Sequence, residues 1–336
     1  KCMGDGIAVD VIDGEIVAPC DGKITIVFPS KHAIGMKLKD GSSILIHCGI
    51  DTVNMDGDGF ETFVDKSTRA TDVTKANLTA FEVYGWRTKD ATEQIFDAQA
   101  VTANNGVCTY SPLQYWVGGY KYDFEAVAPK SGEKGVTVND TYGASTITFA
   151  SDSETDLIYA SASKDLSSYD YGTLAAAPGV VDLTFGHLLS RVKFTFINGA
   201  DANSVAKIAV TDVKITNAGN TGVYTPSNGT WAAATETGEV TFASTNITGI
   251  VGGESGETEH KYLIPYNVKD YSVSFTVTMT QGSVSDSFNY TVKLPETTTL
   301  VKGNSYNFKA TFNPGQPIVF TADVTPWNDF TDVTIP

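Results

Sequence analysis

The residues equipped for chemistry are few and unevenly spread. His32 and His47 stand near one another in the chain, with Asp21 and Asp51 close by. Two imidazoles at one sheet edge can relay a phosphoryl group, one neutral nitrogen attacking while the other donates a hydrogen bond to the transferred group. The same rings could instead hold zinc with a carboxylate, or simply stand on the surface. His187 lies far away in an apolar stretch, with no Ser or Cys nucleophile motif beside it. It reads as a core-edge histidine whose ring nitrogens bond to backbone. Tyr115 and Trp116, beside Gly118 and Gly119, are the aromatics best placed for partial exposure, and flat rings of that kind can stack on a sugar face. Arg69–Ala70, in the polar stretch Asp65–Thr71, offers a protease an accessible bond.

The elements that must position these residues are strands. Ile24, Ile26 and Phe28 alternate between Asp21-Gly22 and Pro29, and Asp40-Gly41 joins Ala33–Lys39 to Ser43–Gly49 as a hairpin that would bring both imidazoles to one edge. Tyr120, Tyr122 and Phe124 share one face of a strand. Leu183, Phe185, His187 and Leu189 alternate, then Val192, Phe194 and Phe196 take over in the other phase, which predicts a bulge near Ser190. Tyr271 to Met279 and Phe288 to Leu294 flank Gln281-Gly282 as a long hairpin with one dry face. No stretch carries a sustained helical period.

Composition agrees with an all-β chain: 336 residues, 31 of them Gly, with 11% aromatic and only 18% charged residues. The net charge of −16 divides at Arg69: the first 69 residues carry 11 acidic and 7 basic side chains, the remainder 28 and 16. Neither part offers a basic face for nucleic acid or anionic lipid. No Asp-rich loop of the EF-hand kind is present. Cys2, Cys20 and Cys48 crowd the first part, whereas Cys108 is alone in the second. That suits a reducing compartment for the front and a surface protein stable without disulfides for the rest. Cys2 reads as an ordinary thiol or as the lipid-bearing Cys of a processed lipoprotein.

Met3–Gly6, Val17–Gly22, Lys31–Gly35, Leu45–Val53 and Gly57–Phe60 occur in an order that resembles the glucose-type IIA domain of the bacterial sugar phosphotransferase system. The resemblance implies that His47 accepts the phosphoryl group and His32 supports it, with Ser30 where a Thr is usual and Asp21 and Asp51 flanking. The partners implied are a phosphocarrier protein and a sugar permease, in the cytoplasm. Strands expected before and after these motifs are missing, so residues 1–60 are expected to form an incomplete β-sandwich fragment, unable to transfer phosphate by itself. The resemblance breaks off around Phe60–Val64, which reads as a chimeric join.

Phe81–Trp86, Tyr115-Trp116 with Tyr120–Pro129, Asp156–Ala160, Leu183–Phe196, Tyr262–Pro265, Lys302–Tyr306 and Val324–Trp327 resemble the fimbrillin-like surface proteins of Bacteroidetes, with Cys108 where an aromatic is commoner. The resemblance implies two transthyretin-like β-sandwich domains, export as an outer-membrane lipoprotein, and no catalysis or cofactor. It further implies a cut behind an Arg, matched here by Arg69 and Ala70, followed by donor-strand addition between pilus subunits, with host glycan or protein as a further partner. The expected organisation is a fragment over 1–60, a junction strand over 61–70, and sandwiches over 71–179 and 180–336.

Overall fold

The computed structural model describes residues 22–27, 33–38, 42–47, 71–170, 173–174, 179–201, 204–242, 247–313 and 316–335. The chain forms two compact units, Lys1–Asp65 and Lys66–Pro336. Among the described residues there is no α-helix, as the absence of a 3.6-residue apolar period requires.

In the first unit, β1 (Gly22–Val27), β2 (Ala33–Leu38) and β3 (Ser43–His47) make one antiparallel sheet in that order. The predicted hairpin forms, with Ala33 opposite His47. Ala33 and Met36 are buried, and Leu45 is 48% exposed.

The second unit opens with β4 (Ala80–Thr88), β5 (Thr92–Asn104), β6 (Val107–Thr109) and β7 (Lys121–Ala128). A hairpin of β8 (Val136–Asn139) and β9 (Thr146–Ala150) follows, then β10 (Ile158–Asp165), β11 (Val181–His187) and β12 (Ser190–Asn198). The long β13 (Lys207–Thr225) leads to the short β14 (Thr230–Trp231), β15 (Glu236–Thr241), β16 (Ile247–Ile250), β17 (Ser255–Glu257) and β18 (Lys261–Leu263). The chain ends in β19 (Ser272–Gln281), β20 (Val284–Lys293), β21 (Asn304–Phe312), β22 (Phe320–Pro326) and β23 (Phe330–Ile335).

Seven strands close a barrel in the order β10-β11-β23-β6-β5-β4-β7. Phe81, Phe96, Tyr122, Phe124, Leu183 and Phe185 fill it. The other strands form two sheets face to face. One runs β17-β12-β21-β22 with β18 on β12; the other runs β20-β19-β13-β9-β8 with β14, β15 and β16 on β13. Their core is aromatic: Phe194 has no exposed surface and packs against Phe242, Phe308 and Phe320 at ring separations of 5.0 to 5.8 Å. Burying each such ring contributes about 1.5–3 kcal/mol.

Strands cross residue 179 in both directions. The barrel takes β11 and β23 from the far side, and the sandwich takes β8 and β9 from the near side. The phase slip near Ser190 proves to be a change of sheet rather than a bulge. Leu188 and Leu189 are both buried in one cluster at the junction as the chain leaves β11 in the barrel and enters β12 in the sandwich, where Val192 and Phe194 join the sandwich core. The long hairpin is dry only near its base. Phe288 and Val284 on β20 are 46% and 64% exposed, because β20 is an edge strand that reaches beyond the opposing sheet.

Candidate functional site

A polar and aromatic knot holds barrel and sandwich together, and the segment just after Arg69 is tied into it. Arg69 and Ala70 lie outside the described residues, as do His32, Ser30, Asp21, Asp51, Cys2, Cys20 and Cys48. Thr71 is the first described residue past the join. Asp72 accepts a hydrogen bond from the Tyr262 hydroxyl on Oδ1 at 2.7 Å, with His260 Nε2 3.3 Å from the same oxygen. Its Oδ2 pairs with Arg191 Nη1. One residue on, the Val73 N–H donates to Asp156 Oδ2 at 2.8 Å.

Asp156 is also the partner of His187, whose Nδ1 lies 2.9 Å from Oδ2 and 3.1 Å from Oδ1. His187 is therefore buried against a carboxylate and not, as the sequence suggested, against backbone. Its ring stacks on Trp327 at 3.7 Å, Trp327 stacks on Tyr262 at 5.3 Å, and the Arg191 guanidinium lies 5.3 Å from the Trp327 ring. Backbone bonds complete the knot: Leu188 N–H to Leu157 O at 2.9 Å, Gly303 N–H to Leu189 O at 2.9 Å, and Trp327 N–H to Gly303 O at 2.7 Å.

The electrostatics are those of a clamp. Burial raises the Asp72 carboxyl, but hydrogen bonds from His260 and Tyr262 and the charge of Arg191 outweigh it and hold the group down at about 2. Burial pushes Asp156 above the usual carboxylate range, with the His187 contact pulling the other way. Burial likewise raises the Tyr262 hydroxyl, helped by its bond to Asp72. An Asp–His pair could orient a nucleophile. Here both residues are 3% exposed, and no Ser or Cys is hydrogen-bonded to His187 among the described residues, so the pair fastens the fold.

The second feature is the aromatic end of the barrel. Tyr115 is 81% exposed, as its neighbouring glycines suggested. Trp116 is half-buried: its Nε1 donates to Gly179 O at 3.3 Å and its ring packs edge-on against Tyr122 at 4.8 Å. Both line a cavity of about 270 Å³ with Phe96, Leu113, Tyr122 and Ile335. Cys108 is buried in the barrel, which raises its thiol. His47 is described only as the backbone end of β3.

The knot was missed at the sequence level. Its members come from six separated stretches, and the one local signal was the presence of Asp156, His187 and Arg191 inside otherwise apolar runs. Tyr262 and Trp327 stood in motifs that carried the family resemblance, but nothing in them pointed to each other.

A chain of sheets pinned by buried polar contacts, with no α-helix among its described residues, defines a β-structural module. The chain belongs to the fimbrillin-like family, whose sequence profile matches residues 68–327. Residues 1–85 match the phosphoenolpyruvate-dependent sugar phosphotransferase system EIIA 1 family. Over 66 residues the chain is 52% identical to a glucose-specific EIIA component of Bacillus cereus, covering 20% of this chain and 40% of that protein. Over 67 residues it is 55% identical to a glucoside-specific EIICBA component of Staphylococcus carnosus, covering 20% of this chain and 10% of that one. The chain thus spans two fifths or less of these relatives. Among solved structures, a proposed cell adhesion protein from Bacteroides uniformis shows 17% identity over 78% of this chain and 94% of its own, at a TM-score of 0.44. One from Bacteroides ovatus shows 16% over 78% and 91%, at 0.43.

The clamp gives a pH-dependent prediction. A carboxyl lowered from 3.8 to about 2 contributes stability that is present above pH 4 and lost as pH falls through 2. For a carboxyl that stays partly open to solvent, the contribution is about 2 kcal/mol. Asp72→Asn should lower the unfolding free energy by about that amount at pH 7 in urea titrations, and the gap from the parent should close between pH 4 and pH 2. A gap unchanged at pH 2 refutes the clamp.

Proposed function

We propose that the second unit is a non-catalytic cell-surface fimbrial subunit or adhesin that assembles by strand addition once the N-terminal segment is removed behind Arg69. The same reading takes barrel and sandwich as the family's two transthyretin-like units. It places the protein at the outer membrane of a Bacteroidetes cell as a lipoprotein.

The observation that carries the reading is the seating of β23. This strand pairs antiparallel with β11 through Val181–Ile335, Asp182–Thr334, Leu183–Val333 and Phe185–Phe330, but meets β6 at a single residue pair, Thr334 and Val107. A strand firmly paired on one edge and barely on the other is the easiest to exchange, because leaving breaks few ladder bonds while its apolar residues need an equivalent slot. Val333 and Ile335 face the barrel core and fit the slot of a second barrel equally well. The anchoring of Asp72 and Val73 explains how a cut two residues earlier would spare the body. The new terminus would already be tied to Arg191, Tyr262 and Asp156.

The front segment supports a second reading, because its identity to EIIA proteins is high over its short length. In that reading His47, with His32, accepts phosphate from a phosphocarrier protein and passes it to a sugar permease. The fimbrillin-like match over residues 68–327 favours the first reading for the greater part of the chain.

Three outcomes are expected. Limited trypsin should cut between Arg69 and Ala70 and leave a folded remainder; a remainder that loses its circular dichroism, or a main cut elsewhere, sinks the processing step. In the cut protein, Asp182→Cys with Thr334→Cys should fasten β23 to β11 under oxidation, since these side chains already touch at 3.3 Å. The oxidised form should then form no dilution-resistant polymers, and reduction should restore them; polymers undiminished by oxidation refute strand exchange. Incubation with the phosphoenolpyruvate-driven carrier system should leave His47 unlabelled, and stoichiometric acid-labile phosphate there would reverse the choice of readings.

A further inference from the structure

Strand directions place two complementary apolar features at opposite ends of the second unit. β11 runs from Val181 to His187 at the knot, and β12 continues from Ser190 at the knot to Asn198. The barrel end farthest from the knot therefore carries Val181 and its partner Ile335, with Lys121 paired to Asp165 and to Thr88 at the same level. The cavity of about 270 Å³ opens there, with Phe96, Leu113, Tyr115, Trp116 and Ile335 in its wall.

At the other end, β21 runs parallel to β12 and finishes at Phe312. Phe275 and Tyr290 reach Phe312 at 6.1 and 6.5 Å. The β19–β20 hairpin then continues past that level through the pairs Val277–Phe288, Met279–Asp286 and Gln281–Val284. Its inner face loses its cover stepwise, from 0% exposed at Val277 to 40% at Met279, 46% at Phe288 and 64% at Val284. Among the described residues this tongue is the edge of one leaf of the sandwich, open at Met279, Phe288 and Val284 while Ile208 beside it stays covered.

We propose that the tongue of one copy seats Phe288 and Met279 in the barrel-end cavity of the next copy, a head-to-tail contact distinct from the exchange of β23. The occupant is argued from position and chemistry. An apolar projection and an aromatic-walled hollow at opposite poles of one chain make a heterologous contact that repeats along a line without closing. The polar groups also match. Asp286 shares the tongue's inner face and forms no ion pair among the described residues. Lys89, at the cavity pole, lies 5.8 Å from the Tyr120 ring and is likewise without an ion pair among the described residues. The contact rests on the reading of this protein as a polymerising subunit, but needs no strand to leave its barrel.

The test uses the full chain carrying Asp182→Cys and Thr334→Cys in the oxidised state, so that strand exchange cannot contribute. Phe288→Asp disables the tongue and Leu113→Asp the cavity; both sites are more than two fifths exposed, so folding is spared. In sedimentation velocity the locked parent should show reversible, concentration-dependent oligomers, and each variant alone should lose them. An equimolar mixture of the two should form heterodimers and nothing longer, since each pair then has one working contact and two dead ends. A parent that stays monomeric at all concentrations overturns the proposal. So does a Leu113→Asp chain that associates like the parent, which would mean tongue against tongue, or a mixture that stays monomeric. Because β23 is fastened throughout, failure here leaves the strand-exchange reading standing, and success here does not prove it.

Discussion

The stack of His187 on Trp327 and of Trp327 on Tyr262 is the constraint on which the second unit depends. Barrel and sandwich each have their own apolar core, and cores of this size could drift as separate bodies joined by a linker. They are held because Trp327, the first residue after β22 of one on the way to β23 of the other, is gripped from both sides. Buried polar groups are a poor source of net stability but an effective source of uniqueness. Asp156 satisfies His187 and the Val73 N–H together, and Asp72 takes the Tyr262 hydroxyl and the Arg191 guanidinium, so a shifted arrangement would strand several buried groups at once.

Much of the fold was legible because strands with one dry face announce themselves. The alternation through Val273, Phe275 and Val277 and through Tyr306, Phe308 and Ala310 marks β19 and β21, and each of these residues is buried. Turn residues located the hairpins, Asp40-Gly41 and Gln281-Gly282 among them. What alternation cannot convey is which core a face belongs to. Leu189 and Val192 look like a register slip in sequence, and only three dimensions reveal two cores meeting there. The knot was illegible for a related reason. Asp72 and Tyr262 are 190 residues apart, and nothing local in either stretch requires the other.

The aromatic residues from Tyr115 to Phe124 show the same limit at smaller scale. Sequence placed Tyr120, Tyr122 and Phe124 on one face, and their rings do follow one another at 6.4 and 6.3 Å. Tyr115 and Trp116 were singled out as a pair, yet the fold treats them differently: one projects into solvent, and the other bonds across to Gly179 and closes over Tyr122. Adjacent residues on an irregular segment have no fixed relation of faces, so only a long-range contact such as that to Gly179 decides between them.

The placement of β23 also sets the order in which the molecule can be made. Its barrel neighbours β6 and β11 are synthesised long before it, with most of the sandwich, β12 to β22, between them and their last partner. Contacts of such separation form slowly, because a long loop must close before they return any stabilisation. While the chain emerges, the barrel is a six-stranded open sheet with Leu183 and Phe185 uncovered along one edge. The nascent protein therefore passes through a stage in which its first half is adhesive and its second half is the cure, and whatever accompanies it during synthesis and transport has to cover that edge until Phe330–Ile335 arrives.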